Sequence, residues 1–210
     1  MPSAYADHIN VEFVKCGLRG IWMLFASGDS GAALDSGTCP EGAFAPVWPA
    51  GSPYITAVGG TTNGALPEAA WSGSSGGFGN VFGQPSWQTA AVETFLATAE
   101  AEGTLPPLGY FNATGQGFPG ISAQAVAYPV IANGAAFGSV AGTSCATPCS
   151  SGIFGLLNHA RLAAGKGSLG FLNPMLYANT GALNDVALGV QGGCNIDGVS
   201  VPGFPAVAGW

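Results

Sequence analysis

Apolar positions along the chain first recur with helical spacing: Ile9, Phe13, Val14 and Leu18 line one face of residues 6–19. Lys15 and Arg19 sit in the closing turns, where a cation complements the helix dipole, and Gly20 is a natural stop. Residues 21–27 (IWMLFAS) then form an unbroken apolar run of strand length that ends at Gly28-Asp29-Ser30-Gly31. A helix feeding such a strand predicts an α/β fold whose parallel sheet is covered on both faces. Open α/β sheets gather their chemistry at the carboxyl ends of strands, which singles out residues 28–31.

Further along, residues 52–60 (SPYITAVGG) predict a second strand, and residues 71–86 (WSGSSGGFGNVFGQPS) a glycine-rich loop. A helix is predicted over about 88–102, with Thr89, Val92 and Leu96 along it. Residues 123–132 and 137–141 give shorter strand pieces. Gly142-Thr143-Ser144 then opens a stretch whose Ile153, Phe154, Leu156 and Leu157 predict a buried helix. No repeat or linker interrupts the pattern, so residues 1–210 read as one domain.

Composition narrows the function classes. Hydrophobic residues make up 48% of the 210 positions, enough for a sizeable core and too many for a disordered chain. Only 7% are charged, and 4 Lys+Arg against 11 Asp+Glu leave a net charge of −7. With no basic footprint to displace counterions from phosphates, a nucleic-acid partner is excluded. No apolar run approaches the roughly 18 residues that span a bilayer, so no membrane partner is expected. The N-terminal MPSAYADHIN lacks the basic and apolar regions of a signal peptide.

Five cysteines, at 16, 39, 145, 149 and 194, show no zinc-like spacing. Two readings stay open. They are small buried apolar residues, or Cys39 and Cys194, both in polar Gly-rich stretches, form a disulfide in an oxidising compartment. Asn112-Ala113-Thr114 is a formal glycosylation sequon in a turn-like stretch.

Two serine motifs compete as chemistry. With Ser30 as nucleophile, Gly28-Asp29-Ser30-Gly31 resembles the motif of chymotrypsin-type proteases, whose base histidine and orienting acid precede the serine. Only His8 precedes Ser30, on a predicted helix, while His159 has no acid beside it; nor does Ser30 sit in a Gly-x-Ser-x-Gly elbow. In the second motif, Gly142-Thr143-Ser144-Cys145-Ala146-Thr147-Pro148, Ser144 stands at the mouth of a helix, beside free N–H donors and the positive dipole end. An oxyanion can be stabilised there, and small neighbours let a substrate backbone approach. The same residue also fits an ordinary helix N-cap.

The two motifs in this order, FASGDSGA (25–32) and GTSCATP (142–148), resemble the sedolisins, the serine-carboxyl peptidases. The similarity extends through FAPVWPAGSPYITAVGGT (44–61), SGGFGNVFGQPSWQ (75–88), GYFNATGQGFPGISA (109–123), LGFLNPMLY (169–177) and NDV (184–186). It covers essentially the whole chain and points within the family to its lysosomal tripeptidyl-peptidase branch. The resemblance implies a subtilisin-like parallel sheet flanked by helices and an acid-active peptidase acting on peptide or protein substrates. It also implies a lysosomal, vacuolar or secreted location and a prodomain in the full-length parent.

In residues, the resemblance implies Ser144 as nucleophile and Asp29 as the acid that stabilises the oxyanion. A carboxyl can donate to an oxyanion only while protonated, since the ionised form is acceptor-only. A dry setting for Asp29 at the end of an apolar strand would favour the neutral form. A glutamate base, ionised in mild acid where histidine is charged, completes the family's logic. That glutamate and its partner aspartate lie upstream in the family, so the chain is expected to be an N-terminally truncated catalytic domain with little activity of its own. Asp7 and Glu12 match a different part of the family and do not replace them. A calcium site is implied at Asp185 and Val186 with the carbonyls of Val207 and Gly209, incomplete because the chain stops at Trp210 before the family's further aspartate. Gly120 stands where the family usually has Asp, Gln116 where a basic residue is common, and Ala141 where Ser is usual. These departures leave a second reading open: a dead homologue serving as a peptide-binding or inert module.

Overall fold

The computed structural model describes residues 3–34, 37–39, 42–62 and 64–206. Helix α1 (Ser3–Leu18) matches the expected first helix and buries Ala6, Asn10 and Phe13, a spacing of four and three that forms one stripe. Leu18 departs from expectation: it is exposed, because the stripe runs on to Gly17, where a Cβ would lie 3.3 Å from the Phe171 Cβ, and Leu18 lies off it. Gly20 closes the helix at φ +77°, a left-handed conformation that glycine adopts without penalty.

Strand β1 (Leu24–Ala26) runs parallel to β2 (Thr56–Thr62), which runs parallel to β6 (Ile121–Gln124) on its other side. β2 also carries the two-residue β3 (Ala69–Ala70) antiparallel at its far end. The expected parallel sheet is therefore present, with β2 at its centre. Six of the seven β2 residues are buried, and two of them are glycines for a steric reason. A Cβ on Gly59 would lie 2.6 Å from both Pro119 Cγ and Ser122 Oγ, and one on Gly60 2.6 Å from the Ala125 Cβ. The sheet can only close up if those side chains are missing.

Helix α3 (Thr143–Ala163) lies against β1, β2 and β6, burying Ala146, Ser150, Phe154 and Asn158. Of the residues expected inside, Phe154 is buried, but Ile153, Leu156 and Leu157 face outward. They sit on the side of the helix away from the sheet, and the described residues bring nothing over them.

The glycine-rich stretch expected to be loop instead contains β4 (Gly77–Gly83), paired antiparallel with β5 (Gly115–Phe118). Gln88, just before α2 (Thr89–Ala101), clamps β5: its Nε2 donates to the Gly117 carbonyl at 2.7 Å, and the Gly117 N–H donates to its Oε1 at 2.9 Å. Strands β7 (Tyr128–Ala132) and β8 (Ala135–Val140) form an exposed hairpin leading into α3. α4 (Asn173–Ala178) and the hairpin β9 (Cys194–Ile196) and β10 (Val199–Val201) complete the fold. A disulfide joins Cys39 to Cys194, resolving the open reading in favour of the bridge; Cys16, Cys145 and Cys149 are free. It borders a core of Phe44, Phe78, Val92, Phe95 and Phe204. Among the described residues no helix is long and apolar enough to cross a membrane.

Candidate active site

The loop after β1 is held by the backbone before it meets α3. Ser27 N–H donates to the Val58 carbonyl at 2.9 Å, Ser75 N–H to the Gly28 carbonyl at 2.9 Å, and Ser30 N–H to Ser75 Oγ at 3.1 Å. On the other side, Gly142 N–H donates to the Ala125 carbonyl at 2.8 Å, fixing the entry to α3 next to the sheet. The two serine motifs, more than a hundred residues apart in sequence, thereby meet.

Their contact is made by Thr143. Its backbone N–H donates to Asp29 Oδ1 at 2.7 Å, and its hydroxyl donates to the same oxygen at 2.8 Å. The Gly28 N–H donates back to the Thr143 hydroxyl at 3.2 Å. Thr143 is buried while its partner Asp29 is exposed, so these bonds are partly buried. One of the otherwise unpaired N–H groups opening α3 is thus satisfied by a carboxylate from a distant segment, which also suits the positive end of the helix. The second oxygen, Oδ2, lies toward Gly142: a Cβ there would be 3.0 Å from it and 3.6 Å from the Ser144 amide nitrogen. Gly142 has φ +157° and ψ 150°, a conformation open essentially to glycine alone, so both backbone and space require glycine there.

Ser144 follows directly and is exposed, its side chain at the surface of the first turn of α3. Asp29 is exposed as well, which corrects the expectation of a dry setting. The short strand β1 ends at Ala26, and Asp29 lies three residues beyond it, on a turn at the surface rather than inside the sheet. Ser30 is half-buried, while His8 and His159 are both exposed on helices; Glu12 is paired with Lys15 at 2.6 Å on the outside of α1.

Of the four residues expected to hold calcium, two fall among the described residues. Asp185 is exposed and Val186 half-buried in an irregular stretch, whereas Val207 and Gly209 lie outside the described residues. Among the described residues no three His, Cys, Asp or Glu side chains cluster as a metal site would require. Among the described residues the expected set supplies one carboxylate and one carbonyl of the six to eight oxygens calcium takes.

The residue that sequence reasoning passed over is Thr143. It stood in view between Gly142 and Ser144, but nothing local marks its hydroxyl as a partner of Asp29.

No family model matches the chain. Tripeptidyl-peptidase 1 of Canis lupus familiaris is 43% identical over 215 residues, covering 100% of this chain and 38% of that protein. Tripeptidyl-peptidase 1 of Homo sapiens is 42% identical over 219 residues, with the same shares. The chain thus spans 38% of the length of these relatives. Among solved structures, Pseudomonas sedolisin, a serine-carboxyl proteinase complexed with pseudo-iodotyrostatin, superposes with a TM-score of 0.64 at 23% identity, over 94% of this chain and 56% of that one. Sphericase follows with a TM-score of 0.50 at 18% identity, over 95% of this chain and 52% of its own. Both likenesses establish the subtilisin-like architecture.

Proposed function

We propose that this chain, which belongs to the sedolisin family of serine-type peptidases, carries the nucleophile and the oxyanion-stabilising acid of a tripeptidyl-peptidase-like enzyme working in an acidic compartment. The observation that supports this reading is the double hydrogen bond from Thr143 to Asp29 Oδ1, beside an exposed Ser144. With Oδ1 already accepting two donors, a proton on the neutral carboxyl belongs on Oδ2, the oxygen turned toward Gly142 and the Ser144 amide. Such an acid donates to an oxyanion where an ionised one would repel it.

The reaction then follows. Ser144 Oγ attacks the carbonyl carbon of the scissile peptide, giving up its proton to a base, and the carbonyl oxygen becomes an oxyanion that accepts from Oδ2–H and a backbone N–H at the opening of α3. The C–N bond breaks, the amine leaves with the proton, and an ester on Ser144 remains until water hydrolyses it. The base is the part these residues do not offer: the family pattern supplies a glutamate from a segment not represented in the 210 positions. Turnover of a tripeptide-aryl substrate by this chain alone is therefore expected to be little or none, and robust cleavage would refute the assignment of the base to another segment. Calcium is proposed to bind weakly for the reason given above; calorimetry showing tight binding would overturn that.

One step needs no external base to be observed. A peptide aldehyde adds the Ser144 hydroxyl across its carbonyl, the Oγ–C bond forming as the proton passes to the former aldehyde oxygen. With a carbonyl-13C-labelled aldehyde at acidic pH, the hemiacetal resonance is expected in the native chain, absent in Ser144→Ala and weakened in Asp29→Ala. An adduct that survives in Ser144→Ala, or none in the native chain, sinks the proposal; aldehyde bound without an adduct points to a peptide-binding module.

A further inference from the structure

Tyr128, which opens β7, donates its hydroxyl hydrogen to the Gln124 carbonyl at 2.8 Å and lies 3.1 Å from the sulfur of Cys149 on α3. A phenol has one hydrogen, and Gln124 takes it, so the Cys149 thiol is the donor in the second contact. Cys145 stands one helical turn before Cys149 and is half-buried; Cys149 is exposed, and both thiols are free. Burial is the largest cause that pushes the Tyr128 phenol up, to about 12.

Residues four apart on a helix share a face with Cβ atoms about 5–6 Å apart. A disulfide needs about 3.5–4.5 Å between those atoms. On that spacing the pair is expected to keep two separate sulfurs under conditions that oxidise Cys39 and Cys194. Two metal–thiolate bonds of about 2.3 Å span about 4.6 Å when collinear, a distance two such side chains reach by rotation. Soft thiolates favour copper(I) or zinc. Zinc in structural sites wants four ligands, and no third His, Cys, Asp or Glu joins the pair among the described residues.

We propose that Cys145 and Cys149 form a binding site for a soft, two-coordinate cation of the copper(I) class, beginning one residue after Ser144. Binding forms two Cu–S bonds and releases the two thiol protons to solvent; neither copper nor sulfur changes oxidation state. The site rests on the thiol geometry and stands or falls independently of the role of Ser144.

The test uses the full chain with Cys16→Ser, so that only this pair of free thiols remains. Copper(I), kept reduced by ascorbate without oxygen, is titrated in competition with a chromophoric copper(I) chelator. One ion per chain is expected. Cys145→Ala or Cys149→Ala alone should weaken binding by at least about 100-fold, because each removes the gain from holding two ligands at high effective concentration. Phenylarsine oxide, which requires two thiols, gives a second readout: one equivalent bound by the parent and none by either variant, with circular dichroism reporting the fold. Equal copper(I) affinity in the parent and a single variant overturns the proposal. So does a Cys145–Cys149 disulfide in the peptide map of the air-oxidised chain.

Discussion

Around Phe204, rings from distant parts of the chain pack against one another: Phe111 at 4.9 Å, Phe44 at 5.3 Å and Phe78 at 5.5 Å between centroids, mostly edge to face. The outer side of α3 is as rich in apolar side chains and packs none of them so tightly; Leu156 is 71% exposed and Ile153 58%. The first region is held by contacts between residues far apart in sequence, with the Cys39–Cys194 bridge across a separation of 155. The second is specified by a local helical pattern, of which the sheet uses only one side. Apolar content is thus a poor guide to where stability resides. The candidate active site lies at the first turn of α3, where Thr143 is buried while Asp29 and Ser144 are exposed.

The sharpest test of this contrast is to cut the covalent tie. Cys39→Ser with Cys194→Ser releases a loop of 155 residues, and chain-entropy reasoning puts the loss at about 3–5 kcal/mol. A fall of that size in the unfolding free energy extrapolated from urea titration is expected, together with loss of the near-ultraviolet signal of the aromatic cluster. A change below about 1 kcal/mol would show that the rings hold this region without the bridge.

Thr143→Val probes the boundary. The change is close to isosteric but removes the hydroxyl, leaving Asp29 Oδ1 with a single donor and the Gly28 N–H without its acceptor in a partly buried setting. Losing partners in this way costs about 1–3 kcal/mol. The aldehyde adduct at Ser144 should weaken as well, and Thr143→Ser should restore it, since the bond to Asp29 needs only the hydroxyl. An adduct unchanged in Thr143→Val would make the threonine a purely structural cap.

How much of this was legible in the sequence depended on the range of the forces involved. α1, the β1 and β2 runs, α2 and α3 followed from local patterns, since helical and strand periodicity are read within a dozen residues. β4 was not legible: glycine has low strand preference, and Gly77–Gly83 becomes a strand only because β5 pairs with it. The sedolisin likeness placed Asp29 and Ser144 on the same list, yet Thr143, which joins them, needed coordinates. The apolar run 21–27 predicts a strand to its end and hence a dry Asp29, whereas strand pairing stops at Ala26 and Asp29 is exposed. Of Ile153, Phe154, Leu156 and Leu157, sequence could not say which side of α3 the sheet would use.

The weakest effect is the most informative about that last point. Leu156 projects from the side of α3 opposite Ala146 and Phe154, and a side chain so exposed gives up little water contact on folding. Leu156→Gln should therefore shift stability by no more than about 0.5 kcal/mol, the range of surface substitutions away from special features. Phe154→Ala on the inner side should cost about 3–5 kcal/mol, since it empties a buried site beside Leu172 and Leu176. If the two variants instead lose stability to a similar degree, the outer face is packed in solution. The contrast between the aromatic core and α3 would then be one of partners rather than of burial. Repeating the Leu156→Gln measurement over a tenfold range of chain concentration separates the cases, because cover supplied by another copy makes stability depend on concentration and cover from within the same chain does not.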